Sequence, residues 1–416
     1  MMRKTLLAIF LLAVFSGPSQ AQLNCQPGST QLACIIPNQL NLNNPSSQNL
    51  AFLYEEIGTQ VSELPLASPA SGVIYTNDPK LNIRVPSNAT LGPILTQRAE
   101  TIGYHKYYIA FTYQYFSFNV IDGVSLTKIP IFLPLQNGTA ATATNNHLDL
   151  NANQYTVYFT FGLTDHSDIS VAVPFLSVSE QFITSGIEYD LTNPSTPVKT
   201  FTVPQPPRSF TASGVGDVTL AAKYWLWRPE HGGGLTVGAE LRLPTGDAMN
   251  FLGTDTVGIR PFLTYTYGTR FSPHFNLAYQ ANGNSLLVPT TLGGSSQLRS
   301  GQLPNRLLLS GGVDWGITHW LTVAVDLFGT QTYNAQRIRL LSAPPVLNQG
   351  VNVTYPTISP YTASYWKGDA SAGVKLRPIP SKDFKNLIVT GNALVRLNNA
   401  GLRSAVVPLV GVSYTF

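Results

Sequence analysis

Charge is scarce in this sequence. Aspartate, glutamate, lysine and arginine make up 11% of its 416 residues, against roughly 25% in soluble domains. A surface so short of charge meets something other than water over much of its area. The formal net charge is +4, and removing Arg3 and Lys4 with the leader described below takes it to +2. That balance gives no electrostatic case for nucleic acid or for an anionic surface. Cysteine is nearly absent. Cys25 and Cys34 stand close together in a compartment that permits oxidation, so a short-loop disulfide is the expected reading. No His or Asp stands near them to suggest a metal or catalytic role.

Also missing is any apolar run long enough for a membrane helix. The run Thr5 to Phe15 falls well short of the roughly 20 residues a span requires. It follows Met1, Met2, Arg3 and Lys4 and gives way to Ser16-Gly17-Pro18-Ser19-Gln20-Ala21, the layout of a signal peptide, residues 1–21, cut after Ala21 and exported by a Sec-type route. Leu23-Asn24 before Cys25 lacks the small residue of a lipoprotein signal.

What the mature chain has instead is period two. Tyr107, Ile109, Phe111, Tyr113 and Tyr115 oppose Lys106, Thr112 and Gln114, and Tyr155, Val157, Phe159, Phe161 and Leu163 oppose Thr156, Thr160 and Gly162. Ile169 to Phe175, Val218 to Leu226 and Leu235 to Leu243 continue the alternation, followed by segments near 255–268, 271–280, 305–315, 320–329, 368–377, 386–397 and 404–416. About 12 such segments, each near the roughly 9–11 residues of a tilted membrane strand, predict an all-β, transmembrane, antiparallel up-and-down barrel over 101–416, with 10 or 14 strands as alternatives. Residues 126–135 could add a partial strand.

Connection lengths alternate as such a barrel requires. The stretches 119–147, 178–213, 244–254, 281–304 and 330–367 are long, and those near Asp165, Pro229, Gly268, Gly316 and Pro378 are short. Long loops outside and short turns in the periplasm put both termini on the periplasmic side of the outer membrane of a Gram-negative-type bacterium. Asn398 to Arg403 is the one short external loop. Tyr224, Trp225, Trp227, Tyr265, Tyr267, Phe271, Trp315 and Trp320 gather at the inner interface as an aromatic girdle. Val410, Val412, Tyr414 and the terminal Phe416 resemble the C-terminal strand signal read by the barrel-assembly machinery.

Pointing away from the apolar sets are Lys106, Asp217, Lys223, Glu240, Arg242, Arg260, His274, Arg306, Asp314, Asp326, Asp369, Lys375 and Arg396. Charges on the lipid face cost up to about 2–4 kcal/mol near the midplane, so these are candidate lumen-lining residues. Residues 22–100, rich in Asn, Gln, Ser and Pro, are either a lumenal plug or a periplasmic tail. Within them Asn49 to Leu64 predicts a short helix with Leu50, Leu53, Ile57 and Val61 on one stripe and Glu55 and Glu56 opposite. The Pro-rich stretch 194–207 shapes an external loop.

Gly214-Val215-Gly216-Asp217-Val218-Thr219-Leu220-Ala221-Ala222-Lys223-Tyr224, followed by Leu241-Arg242-Leu243-Pro244-Thr245-Gly246-Asp247, resembles the MetA-pathway phenol-degradation family of outer-membrane barrels. Glu100-Thr101-Ile102-Gly103, Ile121-Asp122-Gly123-Val124 and Gly162-Leu163-Thr164-Asp165 fit its earlier strands, and the resemblance runs over about residues 98–416. It implies a channel for small, hydrophobic or aromatic compounds, and it transfers no binding site. Leu243 to Asp247 reads as a bend into an external loop, with Pro244 ending the ladder and Gly246 at positive φ.

An enzyme of the lipase or acyltransferase kind would need a nucleophile and a base held together. There is no Gly-x-Ser-x-Gly, and the six histidines are scattered. His166, His231 and His319 fall at periplasmic turns, and His274 alone points into the lumen. No nucleotide motif, metal cluster, cofactor site or energy-coupling box is present, so the expectation is passive transport of a small-molecule solute, with a structural anchor as the alternative.

Overall fold

A computed structural model describes residues 29–36, 51–67, 75–78, 83–86, 90–134, 140–190, 199–203, 208–229, 232–291, 298–348, 351–378 and 386–416. The leader, Cys25, His231, Leu50 and most of the Pro-rich stretch 194–207 lie outside the described residues.

Twelve strands form the wall: β1 (Tyr107–Ile121), β2 (Ala140–Gly162), β3 (Ser167–Asp190), β4 (Thr219–Trp227), β5 (Gly233–Arg242), β6 (Gly258–Tyr267), β7 (Phe271–Asn282), β8 (Arg306–Thr318), β9 (Leu321–Ser342), β10 (Pro356–Leu376), β11 (Leu387–Arg396) and β12 (Val406–Thr415). Each pairs antiparallel with the next, and β12 returns to β1 with Val412 opposite Phe111 and Tyr414 opposite Ile109. Closure leaves no open edge, the condition for a sheet to stand in hydrocarbon. The partial strand at 126–135 is real: Ile129–Pro134 runs beside the outer half of β2, with Ile129 opposite Asn146. Ser209–Val215 similarly flanks β3.

The wall is inverted relative to a soluble protein. Ile109, Phe111, Val157, Phe159, Ile169, Phe175, Val325 and Val410 are exposed, while Thr156, Thr160, Asp168, Lys223, Thr264, His274, Asp314 and Lys375 are buried. Alternating side chains put the first set into lipid and the second into the lumen. The girdle forms at the end bearing the short turns, from exposed Tyr107, Tyr224, Trp227, Tyr267, Phe271, Trp315, Trp320 and Phe416. Trp225 is an exception to the expected girdle. It is buried, on the inward parity of β4, with Arg228 over its ring at 4.8 Å.

Four strands overshoot the membrane. β2, β3, β9 and β10 have 23, 24, 22 and 21 residues, about twice what a tilted crossing needs. Much of what the sequence suggests as external loop at 178–213 and 330–367 is therefore ladder standing in water. Polar residues such as Asn145, Asp149, Asn151 and Ser179 take the outward positions there while Leu148, Leu150, Val178 and Phe182 turn inward, so the membrane pattern reverses although the pairing continues. The two long hairpins meet over the mouth. The hydroxyls of Tyr189 and Tyr355 bond each other, Phe132 stacks on Tyr355 at 5.9 Å, and the Phe132 amide donates to Thr357 Oγ1 at 3.0 Å.

The Leu243 to Asp247 bend departs from expectation in its cause. Gly246 is not among the positive-φ residues. A Cβ there would meet Leu252 O at 2.4 Å and Gly253 Cα at 2.7 Å, so close backbone approach requires the glycine. Asp217 fixes that crossing by accepting from the amides of Gly246 at 3.0 Å and Thr254 at 2.8 Å.

Val325 is half-exposed near the middle of the apolar stretch of β9. Val325→Arg should lower stability in lipid vesicles by about 2–4 kcal/mol, read by denaturant titration, if this face meets hydrocarbon. A change below about 0.5 kcal/mol, usual for a water-facing site, would reject that placement.

Candidate functional site: a lumenal cavity between two seals

Described stretches of the N-terminal part of the chain pack inside the barrel towards both ends. On the external side, Leu32–Cys34 pack on the loop turn Ala248–Asn250, with the Leu32 amide donating to Asn250 Oδ1 at 3.2 Å. Described residues near the mature N-terminus thus touch external loops rather than the periplasmic rim expected from the sequence. Cys34 is disulfide-bonded, and Cys25 is the chain's only other cysteine.

Helix α1 (Ala51–Val61) sits inside the outer half of the barrel. Leu53, Ile57 and Val61 are buried as the helical spacing suggests, but so are Phe52, Tyr54 and Glu56, because protein surrounds the helix on all sides. A Cβ on Gly58 would meet Leu287 and Phe251 at 2.9 Å, so its lack of a side chain lets the external loops close down. Arg306 donates to the carbonyl of Thr59 at 3.2 Å, a cation at the negative end of the helix. Beyond α1, Glu63 forms ion pairs with both Arg242 and Arg306. Burial acts to raise the Glu63 carboxyl, and Arg306 and Arg242 outweigh it to hold the group below the ordinary carboxylate value.

Glu56 lies under a second lock. Asp122, at the tip of a tight turn with φ of 48° followed by Gly123 at 82°, accepts from Arg337 Nε at 2.8 Å and from the amides of Ile338 at 3.0 Å and Gly401 at 2.7 Å. Burial first, and then the Asp122 charge, push the Glu56 carboxyl well above its usual range. Burial alone pushes neighbouring Glu55 up to about 8.

On the periplasmic side, residues 90–104 are held by their backbone. Lys375 Nζ donates to the carbonyls of Leu91 at 3.2 Å and Pro93 at 2.6 Å. Lys223 Nζ does the same for Arg98 at 3.3 Å and Glu100 at 2.6 Å. Thr322, Thr266 and Asp168 accept from the amides of Leu91 at 2.9 Å, Ala99 at 2.9 Å and Ile102 at 3.0 Å. Asn276 bonds both backbone groups of Gln97, at 3.3 and 3.1 Å. An irregular segment buried this deep requires such partners for its polar atoms, and the wall supplies them.

Between the seals lies a cavity of about 350 Å³. Phe116, Phe118, Tyr158, Leu176, Phe262 and Phe328 line much of it, with Leu64 to Ala67 above and Leu95 to Gln97 below.

The candidate residues divide by this geometry. Asp217, Glu240, Arg242, Arg260, Arg306, Asp369 and Arg396 reach the cavity. Lys223, His274, Asp314, Asp326 and Lys375 are buried around the periplasmic seal instead. Lys106 stands just before β1 at the end bearing the short turns, its carbonyl accepting from Gly162 at 3.0 Å. Glu63, Lys367 and Arg403 also stand on the cavity wall and are not among the candidates the sequence offered. Asp122 and Asp168, acidic residues beside hairpin turns, carried a visible signal in the sequence.

Thr96, His274 and the two aspartates invite comparison with a catalytic triad. His274 Nε2 stands 2.7 Å from Asp326 Oδ1 and 2.8 Å from Thr96 Oγ1, while Thr96 donates to the same Asp326 oxygen at 3.1 Å. Nδ1 faces the carbonyl of Ser272 at 3.4 Å and Asp314 at 3.7 Å. With acceptors facing both nitrogens, neither is left free as the base a nucleophile needs. Among the described residues there is also no group of three or more metal-ligating side chains suited to a metal ion.

Residues 134–340 match the model of the family described as "Putative MetA-pathway of phenol degradation". The match is narrower than the resemblance suggested by the sequence, leaving the Glu100 to Gly103 and Ile121 to Val124 motifs and the C-terminal strands outside. No curated protein matches the chain. Among solved structures, an outer membrane channel from Pseudomonas putida F1 is 13% identical, with 76% of this chain and 98% of that one covered and a TM-score of 0.42. A FadL homologue of Pseudomonas aeruginosa is 12% identical over 83% and 96%, TM-score 0.34, and the Ralstonia pickettii toluene transporter TbuX is 9% identical over 76% and 90%, TM-score 0.27. Likeness at this level says nothing of what passes through this chain.

The two locks respond to pH with opposite signs. A carboxyl raised in the folded state gives stability that is present below the unfolded value of about 4.3 and lost as pH rises. Glu56→Gln should therefore leave the thermal midpoint in detergent unchanged at pH 4 and raise it at pH 8. Equal midpoints at pH 8 would show that Glu56 is not held neutral. Glu63, depressed by its arginines, contributes above that same unfolded value and loses its contribution only as pH falls through the lower folded one.

Proposed function

We propose that this chain belongs to the phenol-degradation family and is a passive outer-membrane channel for small hydrophobic or aromatic molecules. Residues 22–100 act as its plug, after a leader cut following Ala21, and the C-terminal strand with exposed Phe416 serves as the signal for barrel assembly. The observation that carries this reading is the cavity lined by Phe116, Phe118, Tyr158, Phe262 and Phe328, with described stretches of the N-terminal part packed on both sides of it. A barrel serving only as an anchor has no need of such a chamber.

The physical chemistry suits transport by diffusion. The aromatic and aliphatic part of the chamber wall takes an aromatic solute out of water, and no phosphate loop or coupling motif among the described residues would drive the movement uphill. The seals differ in kind. The periplasmic seal is made of many wall-to-backbone bonds, whereas α1 is held by apolar packing and a few ion pairs concentrated at Glu63 and Asp122. The external seal is the one a small perturbation would loosen.

Uptake of labelled toluene, compared with a labelled sugar, by Gram-negative cells with and without the protein tests the function directly. Faster entry of toluene alone is the expected result. No gain for either solute would leave the anchor reading. In planar bilayers, Glu63→Ala should raise conductance, because truncating it leaves two buried guanidiniums facing each other at a cost of about 3–5 kcal/mol to the seal. Unchanged conductance would place the restriction elsewhere.

A further inference from the structure

The charges on the cavity wall do not cancel. Arg242 and Arg306 share Glu63, with Asp217 at 3.7 Å from Arg242. Arg260 is paired with Glu240, and Arg403 with Asp369. Two cations are left over. Arg396 lies opposite Asp369 across the β10–β11 ladder, yet that carboxylate is taken by Arg403, and Arg396 donates to the neutral Asn119 Oδ1 at 2.6 Å. Lys367, two residues before Asp369 on β10, has no acid within ion-pair distance among the described residues. The acids acting on it, Asp369 and Glu63, are already engaged.

An uncompensated cation inside a largely apolar chamber is costly, and an anion that enters the chamber relieves the cost. The apolar surface for the rest of such a molecule stands on the same wall. Phe116 and Phe118, with ring centroids 6.1 Å apart and planes inclined by 14°, line the cavity with Arg396 and Lys367. Rings and basic groups thus border one cavity of about 350 Å³, within the reach of one small molecule.

We propose that the cavity binds aromatic monocarboxylates as anions, the ring against Phe116 and Phe118 and the carboxylate between Lys367 and Arg396. This rests on the channel reading above and narrows its substrate class. A carboxylate takes two charge-assisted hydrogen bonds from such a pair, which a neutral hydrocarbon cannot.

The test is calorimetric titration of the purified full-length protein in detergent with benzoate, with its neutral isostere nitrobenzene, and with acetate. Saturable benzoate binding is expected, at least tenfold tighter than nitrobenzene or acetate. It should weaken at least tenfold in Lys367→Met and in Arg396→Gln and recover in Lys367→Arg, with heat-modifiable migration on gels confirming that each variant has formed its barrel. Nitrobenzene binding as well as benzoate, or benzoate binding indifferent to both substitutions, would overturn the anion site and leave the hydrophobic channel standing. Acetate binding as tightly as benzoate would overturn the aromatic part. Binding of none of the three would overturn the site altogether, while toluene uptake by cells decides the channel reading independently.

Discussion

Hydrocarbon offers no partner to a peptide group, and most of this molecule follows from that single deficiency. Every amide and carbonyl at membrane depth must be satisfied within the protein, so the sheet closes, β12 onto β1, and its apolar side chains turn outward. Twelve strands in a ring enclose more space than the inward side chains of the wall fill. The same chain supplies the filling, and the deficiency reappears inside. Residues 90–104 carry unpaired backbone groups into the lumen, where Lys223, Lys375, Thr266, Thr322, Asp168 and Asn276 meet them one by one. Polar residues at inward positions are thus a backbone-binding surface before they are anything else.

That explains which parts of the structure were legible in the sequence. Where one face of a strand meets lipid and the other meets polar filling, alternation is strong. β1, the membrane half of β2, and β4 to β8 could be read to within a few residues. Above the membrane both faces meet water or protein. The lipid-facing pattern is lost along the outer halves of β2, β3, β9 and β10, with Leu148, Leu150, Val178 and Phe182 turned inward, although pairing persists through Ala140 with Asp190 and Ser342 with Pro356. Loop length was a poor guide to where strands end. Trp225 shows the corresponding limit for single residues: its neighbours Tyr224 and Leu226 have the outward parity, and only strict alternation, not aromatic character, places it inside.

The cavity was half legible. An inward charge can be recognised from parity, and seven of the proposed lining residues do reach the chamber. Whether an inward charge meets ligand or plug depends on depth along the barrel and on where 90–104 threads, neither of which is written in a local pattern. Glu63 illustrates the gap. In sequence it follows a short helix in a polar segment, and nothing marks it as the acid that joins Arg242 on β5 to Arg306 on β8.

The unequal construction of the seals bears on how a solute would pass. A wall-to-backbone hydrogen bond contributes on the order of 1 kcal/mol, so removing the whole of 90–104 would sacrifice many at once and bare the buried Lys223 and Lys375. Complete expulsion of the plug is therefore a poor route. Gln97, by contrast, stands at the inner boundary of the cavity with side-chain bonds to Glu240 at 2.8 Å, and Leu95 to Gln97 make up the floor. A displacement confined to that turn breaks the bonds of Thr96 and Gln97 to His274, Asp326, Asn276 and Glu240, while those of Leu91, Ala99, Glu100 and Ile102 hold on either side. The same economy applies above, where Leu64 to Ala67 form the roof and Glu63 is the anchor behind them. A passage that opens by local shifts at two turns, in sequence rather than together, lets a solute cross while the lumen is never open from end to end.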